Sequence, residues 1–563
     1  MSSTADVKLY TTGPLGLPAE LLSAIALLLE HRDILHLSMA CRRTQSVYRA
    51  SKELQYLVDL GRHGYVDGSP ECPLSISERH DLLLSRRSAW KRAVPYLRRP
   101  HPSADQSYLL DLAGGVYAHY AVSRNPQLVL HSLPSRVSEE RLIEVPKLDV
   151  PLDNLAIDPS QDLLAFVEGH IDPDDPLMEE GLVGSDVNGR VTLHLRRLSS
   201  SDVAVHSNAF LPTLTVQCAH AFLTGSSLHI AGSSIALFSS FPNPLLVVWN
   251  WISGERLIFM SHSDFTIQCS GFTFLSTSAF TLTEAHPQLA STLLVPFDPN
   301  GKTKLNPKEI IRQSIRLLFP TPSDDHNILY LTVGTSPLGR PEPRRQVFTV
   351  SPGVRLHAFI MKVVHGDVDR PEGSPLLDTA VMIIVKTSTL LSWLYSATHS
   401  SKQIRWADWG PGNVRIIEQG ETSHLSDVAF SGSRLTFGVQ YASSHDNPEG
   451  NITHYIFDFN TSQQDGDLSA PMEIFDDPQS IALSRRFIGS EESAFSMGLQ
   501  PETGTLDWTN EVLTRQLPCF CTRLKDDFVG EEDDVLLDDM YIVKSVYMSD
   551  SHEEHSPTTI YAF

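Results

Sequence analysis

Between Leu17 and Arg43 the chain reads LPAELLSAIALLLEHRDILHLSMACRR, and its apolar positions fall at helical spacing. Leu21, Leu22, Ile25, Leu28 and Leu29 recur at i, i+1, i+4, i+7 and i+8, which gathers them on one broad face. Pro18 suits the first helical position because its missing N–H has no partner there, and Glu20 adds negative charge at the positive end of the helix. A second helix is predicted from Asp33, whose carboxylate can cap free amides, carrying Ile34, Leu35, Leu37, Met39 and Cys41 on to Arg42 and Arg43. These residues point in several directions. Two such short helices cannot wrap themselves, so part of their apolar surface must face a partner. The helical signal continues in SISERHDLLLSRRSAWKRAVPYL. There Ser75 and Glu78 form a capping box, and Leu82, Leu83, Ala89, Trp90, Ala93 and Val94 form an apolar stripe. Arg86, Arg87, Lys91 and Arg92 line the other side, as a solvated face or a salt-bridged domain junction. Pro100 and Pro102 mark a boundary.

From about Gln106 the period changes to that of strands. Short runs such as SYLLDL, QLVLHSL, RVTLHLRRL, AVMIIVKT and HYIFDF are separated by clusters of Gly, Pro, Ser, Asn and Asp. Many short strands with turn chemistry between them predict an all-β body, a propeller or a pair of sandwiches. LLVVWNWISGERLIF, from Leu245, gives an apolar strand, an aromatic pair around Asn250, a Ser253-Gly254 turn and a second strand. This hairpin resembles the outer half of a WD-type propeller blade, with Asn250 where Asp is usual. DPSQDLLAFVEG from Asp158 is similar to the inner half of such a blade, and SGSRLTFGVQY after Phe430 to another. A degenerate propeller is the favoured body, because radial closure removes exposed sheet edges for this many strands.

The amino-terminal stretch resembles the F-box family. The resemblance is carried without a gap by Leu17-Pro18, Glu20-Leu21-Leu22, Ile25, Leu29, Asp33-Ile34-Leu35, Leu37-Ser38 and Cys41-Arg42-Arg43. Ile34 stands where leucine is commoner and Thr44 where tryptophan is frequent. The resemblance implies a small helical module that binds a Skp-type adaptor and, through it, a cullin carrying a RING protein and a charged E2 enzyme. It implies adaptor contacts from Leu17, Pro18, Leu21, Leu22, Ile25, Leu29 and Leu35. More loosely, the order F-box, capped helix with SAW, β-rich body and WADWGPGNVR from Trp406 is similar to the F-box proteins abundant in mushroom-forming fungi. Trp406 and Trp409 themselves read as core aromatics beside a Gly-Pro turn.

Charge narrows the partners. The 563 residues carry 44 Lys and Arg against 67 Asp and Glu, a net charge of -23, which repels phosphate backbones and anionic lipid. Neither nucleic acid nor membrane is an expected partner. Cys41, Cys72, Cys218, Cys269, Cys519 and Cys521 form no paired CxxC set, which points to a reducing compartment and a cytoplasmic or nuclear protein. A signal peptide is not read at the start, since Lys8 is the sole basic residue ahead of the apolar run and Glu20 precedes it.

Catalytic motifs are missing from the sequence: there is no G-x-S-x-G elbow, P-loop, dinucleotide fingerprint or H-E-x-x-H. Cys519 and Cys521 would share one face of a strand, and without a second pair they read as structural thiols. DPDDPLMEE from Asp172 lacks the glycine and distal Glu of a calcium loop and reads as a solvated loop. The acidic run from Lys525 to Asp539 reads as a flexible, self-repelling insertion. The sequons at Asn451 and Asn460 carry no weight in a reducing compartment.

The expected architecture is α+β and multidomain. Residues 1–16 form a flexible start, 17–60 the F-box, 61–101 linker helices and 102–563 a β-rich recognition body. The expected role is that of a non-catalytic substrate receptor of a Skp/cullin/F-box-type ubiquitin ligase, with no cofactor or metal. It would bind an unidentified protein substrate and act by proximity. The alternative is a propeller scaffold working outside a ligase.

Overall fold

A computed structural model describes residues 16–68, 72–100, 107–121, 127–135, 139–145, 148, 152–171, 189–218, 226–240, 244–265, 268–301, 305–321, 326–338, 347–365, 378–396, 402–419, 426–440, 452–460, 520–523, 533–546 and 558–563. The calcium-like run 172–180, Cys519 and Asn451 lie outside them, as does residue 102 at the expected start of the body.

The amino-terminal module has more helices than its periodicity announced. Helix α1 (Ala19–Ala26) starts one residue after Pro18, which serves as its cap in an extended conformation. Helix α2 (His31–Ala40) starts ahead of Asp33, with Glu30 at the cap position. Cys41 is fully extended, so Arg42 and Arg43 do not end α2 but open a third helix, α3 (Arg42–Ala50). The Cys41 backbone N–H donates to Thr44 Oγ1, which explains why the chain can break and restart there. Ser51 caps α4 (Lys52–Arg62) by accepting the Leu54 amide. The Ser75–Glu78 capping box forms as read and opens α5 (Ile76–Arg92). Ala26, Ile34, Leu54 and Val58 make the small core of the module.

The body is a seven-bladed β-propeller. Each blade is an antiparallel sheet of four strands. The described strands of blades I to VI fall within 107–145, 154–218, 226–260, 268–318, 326–419 and 426–523 in chain order. Blade IV gains a short parallel fifth strand, Gln403–Ile404. In blade VII the three inner strands, Asp533–Leu537, Tyr541–Val546 and Thr559–Ala562, pair with an outer strand from far earlier in the chain, Leu97–Pro100. The first strand of each blade packs beside those of its two neighbours, and blade VII returns to blade I, so the ring closes. Closure leaves only outer strands as edges, and Pro100 sits on one of them, where its missing N–H costs no ladder bond.

Several local expectations hold. The hairpin Leu245–Asn250 with Glu255–Met260 is the outer half of blade III, and Gly254 supplies the positive φ of its turn, 75°. Asn250 Oδ1 accepts the amides of Ile252 and Ser253 while its Nδ2 donates to the Pro299 carbonyl at 2.8 Å. Only an amide can do both, which accounts for Asn in place of Asp. The segments at Asp158 and after Phe430 are the inner halves of blades II and VI. Trp409 is fully buried and donates Nε1 to the Leu318 carbonyl at 2.8 Å. Trp406 packs edge-on to it with ring centroids 5.0 Å apart, so both tryptophans are core aromatics.

Other expectations need correction. The body begins at Leu97 rather than 102, because that strand completes blade VII. Among the described residues, short helices interrupt the strands at Pro307–Gln313, Thr387–Tyr395 and Trp406–Trp409. The acidic run does not stay a solvated insertion to its end: Asp533–Leu537 is the innermost strand of blade VII, and Asp538 and Asp539 are buried. For Arg86 the second of the two readings holds, a salt-bridged domain junction rather than a solvated face. It pairs with Asp539 at 3.2 Å in the junction between α5 and the propeller.

That junction is built from charge and aromatic contacts together. Tyr65 donates its hydroxyl to Asp539 at 2.9 Å, and Arg434 donates to Tyr65 and pairs with Asp458 at 3.0 Å. Arg434 lies 4.8 Å from the Trp90 ring and Arg86 lies 4.4 Å from that of Phe348. The strand Tyr65–Asp67 pairs with Phe348–Val350, which lies between the first two strands of blade V in the chain and forms a separate two-stranded sheet with it. Burial raises the Tyr65 pKa; for Arg434 burial acts downward, but Tyr65, Asp458 and Asp539 together outweigh it and raise the pKa, which keeps the guanidinium charged. Each buried charge is matched, and such a network fixes α4 and α5 in one orientation on the propeller.

Candidate functional site

The strongest candidate surface is the outer face of α1 and the turn that follows it. Leu22 and Ala26 point inward, which turns Leu21 and Ile25 outward on the opposite side of the helix. Leu28 and Leu29 continue the same stripe one turn later, held by bonds from their amides to the carbonyls of Ile25 and Ala26. Leu28 is 87% exposed and Met39, near the end of α2, 66%. Five large apolar side chains are therefore exposed within one small module, an arrangement that water disfavours and that marks an interaction surface.

The seven residues assigned to adaptor binding are distributed unevenly. Pro18, Leu21, Ile25 and Leu29 are exposed. Leu17 and Leu35 are half-buried, with the Leu17 carbonyl accepting from Arg43 and Leu35 packed against the module core. Leu22 is 4% exposed and lies inside the module. Leu28 and Met39, not assigned on sequence, are the two most exposed of the group. The i, i+4, i+7 spacing of Leu21, Ile25 and Leu28 held that signal for Leu28.

A second feature lies on the propeller axis and had no signature in the sequence. A cavity of about 250 Å³ is lined by Asp111, His229, Phe274, Thr335, Ser336 and Arg355 among others. A space of about 100 Å³ adjoins it, sharing Gly114, Ser336 and Arg355 and adding Thr349 and Asp538. Residues from all seven innermost strands meet here. Burial drives Asp111 and Asp538 up to about 6 and His229 down to about 4. Among the described residues no group of three or more His, Cys, Asp or Glu side chains could hold a metal ion, and no helix is long and apolar enough to cross a membrane.

No family model matches the chain, and no curated protein does. Among solved structures, the chain is similar to the WD40 domain of coronin from Toxoplasma gondii at 10% identity and a TM-score of 0.30, over 64% of this chain and 72% of that one. It is similar to the WD40 domain of SCAP from fission yeast at 9% identity and 0.31, over 64% and 83%. Sqt1 from Chaetomium thermophilum gives 12% and 0.30, over 60% and 80%. The blade count rests on the strand pairings above and not on these likenesses.

Proposed function

We propose that the chain is the substrate receptor of a Skp/cullin/F-box-type ubiquitin ligase, an F-box protein that binds a Skp-type adaptor through α1 and α2 and a target protein through the propeller. The single observation that carries this reading is the exposed stripe Leu21, Ile25, Leu28 and Leu29, with Met39 beside it, in a segment that matches the F-box pattern. A fully exposed side chain of this kind gains roughly 1.5–3 kcal/mol when taken out of water; Leu28, 87% exposed, approaches that and the half-exposed Leu21, Ile25 and Leu29 gain about half, so together they suffice to anchor an adaptor. Leu22 contributes from below by holding the helix in place.

The buried junction of Arg86, Asp539, Arg434 and Tyr65 supports the same reading. A receptor that performs no bond chemistry accelerates transfer only by holding a target lysine near the E2 thioester, and that requires a stiff connection between hook and recognition body. The alternative, a propeller scaffold outside a ligase, uses the same surfaces without the cullin.

The test is a titration of a purified Skp-type adaptor into the intact chain and into Ile25→Arg. Binding by the former and its loss in the latter, with an unchanged thermal transition, is the expected result. An Ile25→Arg protein that keeps full affinity removes the docking assignment. Cullin co-purification and proteasome-dependent loss of bound partners then separate a ligase receptor from a scaffold.

A further inference from the structure

The outer strands of six blades, Leu97–Pro100, Arg141–Val145, Glu255–Met260, Ile315–Leu318, Val414–Gln419 and Phe520–Arg523, each carry an arginine. Charge on an edge strand deters pairing with another chain. The edges of blades III and IV are also covered by the chain itself. Leu305 forms a parallel bridge with Ile258 and donates its amide to the Leu257 carbonyl at 3.1 Å, and Gln403–Ile404 lies parallel to Arg316 and Leu317. In both places an apolar side chain, Leu305 or Ile404, packs against the adjoining core. The outer strand of blade II differs on every count. Thr213–Cys218 reads TLTVQC, without charge or proline, and no described strand pairs with its outer side. Leu195 donates its amide to the Pro212 carbonyl at 3.1 Å, and bonded pairs alternate along an antiparallel ladder. Leu214 and Val216 therefore turn their main-chain groups toward the strand Gly189–Arg197, and Thr213, Thr215 and Gln217 turn theirs to the open side.

A second, independent observation is the apolar surface beside this edge. Phe210 is 72% exposed, and Leu211 and Ile252 are exposed with it. They adjoin at the hairpin turn of blade III, where a Cβ on Gly254 would stand 3.2 Å from Leu211 and 3.4 Å from Phe210. The loop that carries them is held in place: Arg196 donates to the Pro212 carbonyl at 2.8 Å, and His206 sits edge-on to the buried Trp251 ring with centroids 4.9 Å apart. Leu211, Thr213 and Thr215 line, with Trp249 and Leu257, a groove of about 420 Å³ between blades II and III. Its two charges, Glu255 and Arg256, are neighbours of opposite sign, so the groove has no net charge. Rigid apolar groups gathered beside an unguarded edge mark an interaction surface.

We propose that the rim of blade II docks an uncharged, extended segment of another protein, which adds to Thr213–Cys218 as a fifth strand and places a leucine or isoleucine in the groove. The setting dictates the occupant. A main chain in strand conformation matches the out-turned groups of Thr213, Thr215 and Gln217 together, and Leu305 and Ile404 show in the next two blades which side chain accompanies such a segment. Main-chain bonds supply affinity and the groove supplies selectivity. Phe210, Leu211 and Ile252 extend the contact beyond the end of the strand. This site is separate from the α1 surface and stands whether or not the ligase reading does.

The probe is the peptide acetyl-Ser-Thr-Ile-Thr-Leu-Thr-Ser-amide, added to the full chain and followed by hydrogen exchange and calorimetry. In the chain alone the amides of Thr213, Thr215 and Gln217 are expected to exchange freely, and the peptide to slow them saturably. The same peptide N-methylated at every backbone amide is expected not to bind. Thr215→Pro removes only an out-turned amide and is expected to abolish binding with an unchanged thermal transition. Leu211→Ser, at an exposed position that leaves the ladder intact, is expected to weaken binding about tenfold. Slow exchange of the three amides in the chain alone overturns the proposal: a rate that falls with protein concentration makes a second copy the occupant, and one that does not means the chain covers its own edge. Absence of peptide binding, or equal binding to Leu211→Ser, overturns it as well.

Discussion

Phe563 stacks on Trp90, with ring centroids 4.0 Å apart and planes 15° from parallel. The pair joins α5 to the inner strands of blade VII, and the Trp90 Nε1 donates to the Asp539 carbonyl at 3.1 Å on the same spot. Stacking, cation–π contact with Arg434 and a buried hydrogen bond therefore converge on one indole.

Removing that indole is expected to loosen helices and ring together. Trp90→Ala should cost about 3–5 kcal/mol, the range for truncating a buried aromatic, whereas Trp90→Phe keeps the stack and loses only the bond to Asp539, about 1 kcal/mol. Urea unfolding of the full chain followed by fluorescence and circular dichroism gives both midpoints. Equal shifts for the two variants would show that the stack contributes little.

Neighbouring leucines on α1 should behave as opposites. Leu22→Ala opens a cavity and should destabilise the module by about 2–5 kcal/mol. Leu21→Ala changes an exposed side chain and should leave stability within about 0.5 kcal/mol while weakening adaptor binding about tenfold. Denaturation midpoints and adaptor affinities measured side by side check the contrast, and it fails if Leu21→Ala unfolds the module.

Gly61 lies where α4 passes α2. A Cβ there would stand 2.2 Å from the His31 ring, so Gly61→Ala must push the two helices apart. Alanine is the better helix former by about 1 kcal/mol, yet overpacking at this contact should prevail and cost about 1–3 kcal/mol net. Hydrogen exchange in α1 to α3 should quicken in the variant; slower exchange would mean that intrinsic propensity governs the site.

His454 in blade VI is buried, and burial followed by the charge of Lys544 lowers its pKa to about 4. The unfolded chain binds a proton below about 6.5 and the folded one does not until about 4, so this group's contribution is present at neutral pH and lost as the pH falls between those values. At pH 5 the loss amounts to roughly 2 kcal/mol. His454→Gln should therefore lose less stability than the parent chain between pH 7 and pH 5. Asp111 and Asp538, raised to about 6, act with the opposite sign over about 4 to 6, which is why the single variant and not the raw profile is informative.

The propeller was legible because each blade repeats a short-range pattern. Period-two alternation and a glycine at the turn suffice to mark a hairpin such as Leu245–Met260, and Asn250 showed its turn role by position. The helix Pro307–Gln313 carried an equally plain signal that was missed, a box of Asn306 and Glu309 with Pro307 at the first position. The break at Cys41 gave less warning, because a thiol rarely stands at a helix cap. What could not be read at all is what depends on long-range assembly. Asp539 looked like one more acid in a solvated run, and its burial follows from Arg86 and Arg434, distant in sequence. The axial cavity, which gathers Asp111, His229 and Phe274, exists only because all seven inner strands converge on one axis.

The mixed origin of blade VII sets the order in which the molecule can mature. Its outer strand, Leu97–Pro100, is among the first parts of the body to leave the ribosome, and its inner strands, from Asp533 onward, among the last. At roughly 5–20 residues per second, the earlier strand waits on the order of a minute for its partners. The amino-terminal helices can be complete throughout that interval while the ring is still open, so nascent or truncated chains would display the exposed Leu21, Ile25 and Leu28 before the propeller exists. Seating α5 on Asp539 and Phe563 ties the orientation of the hook to the completion of the ring.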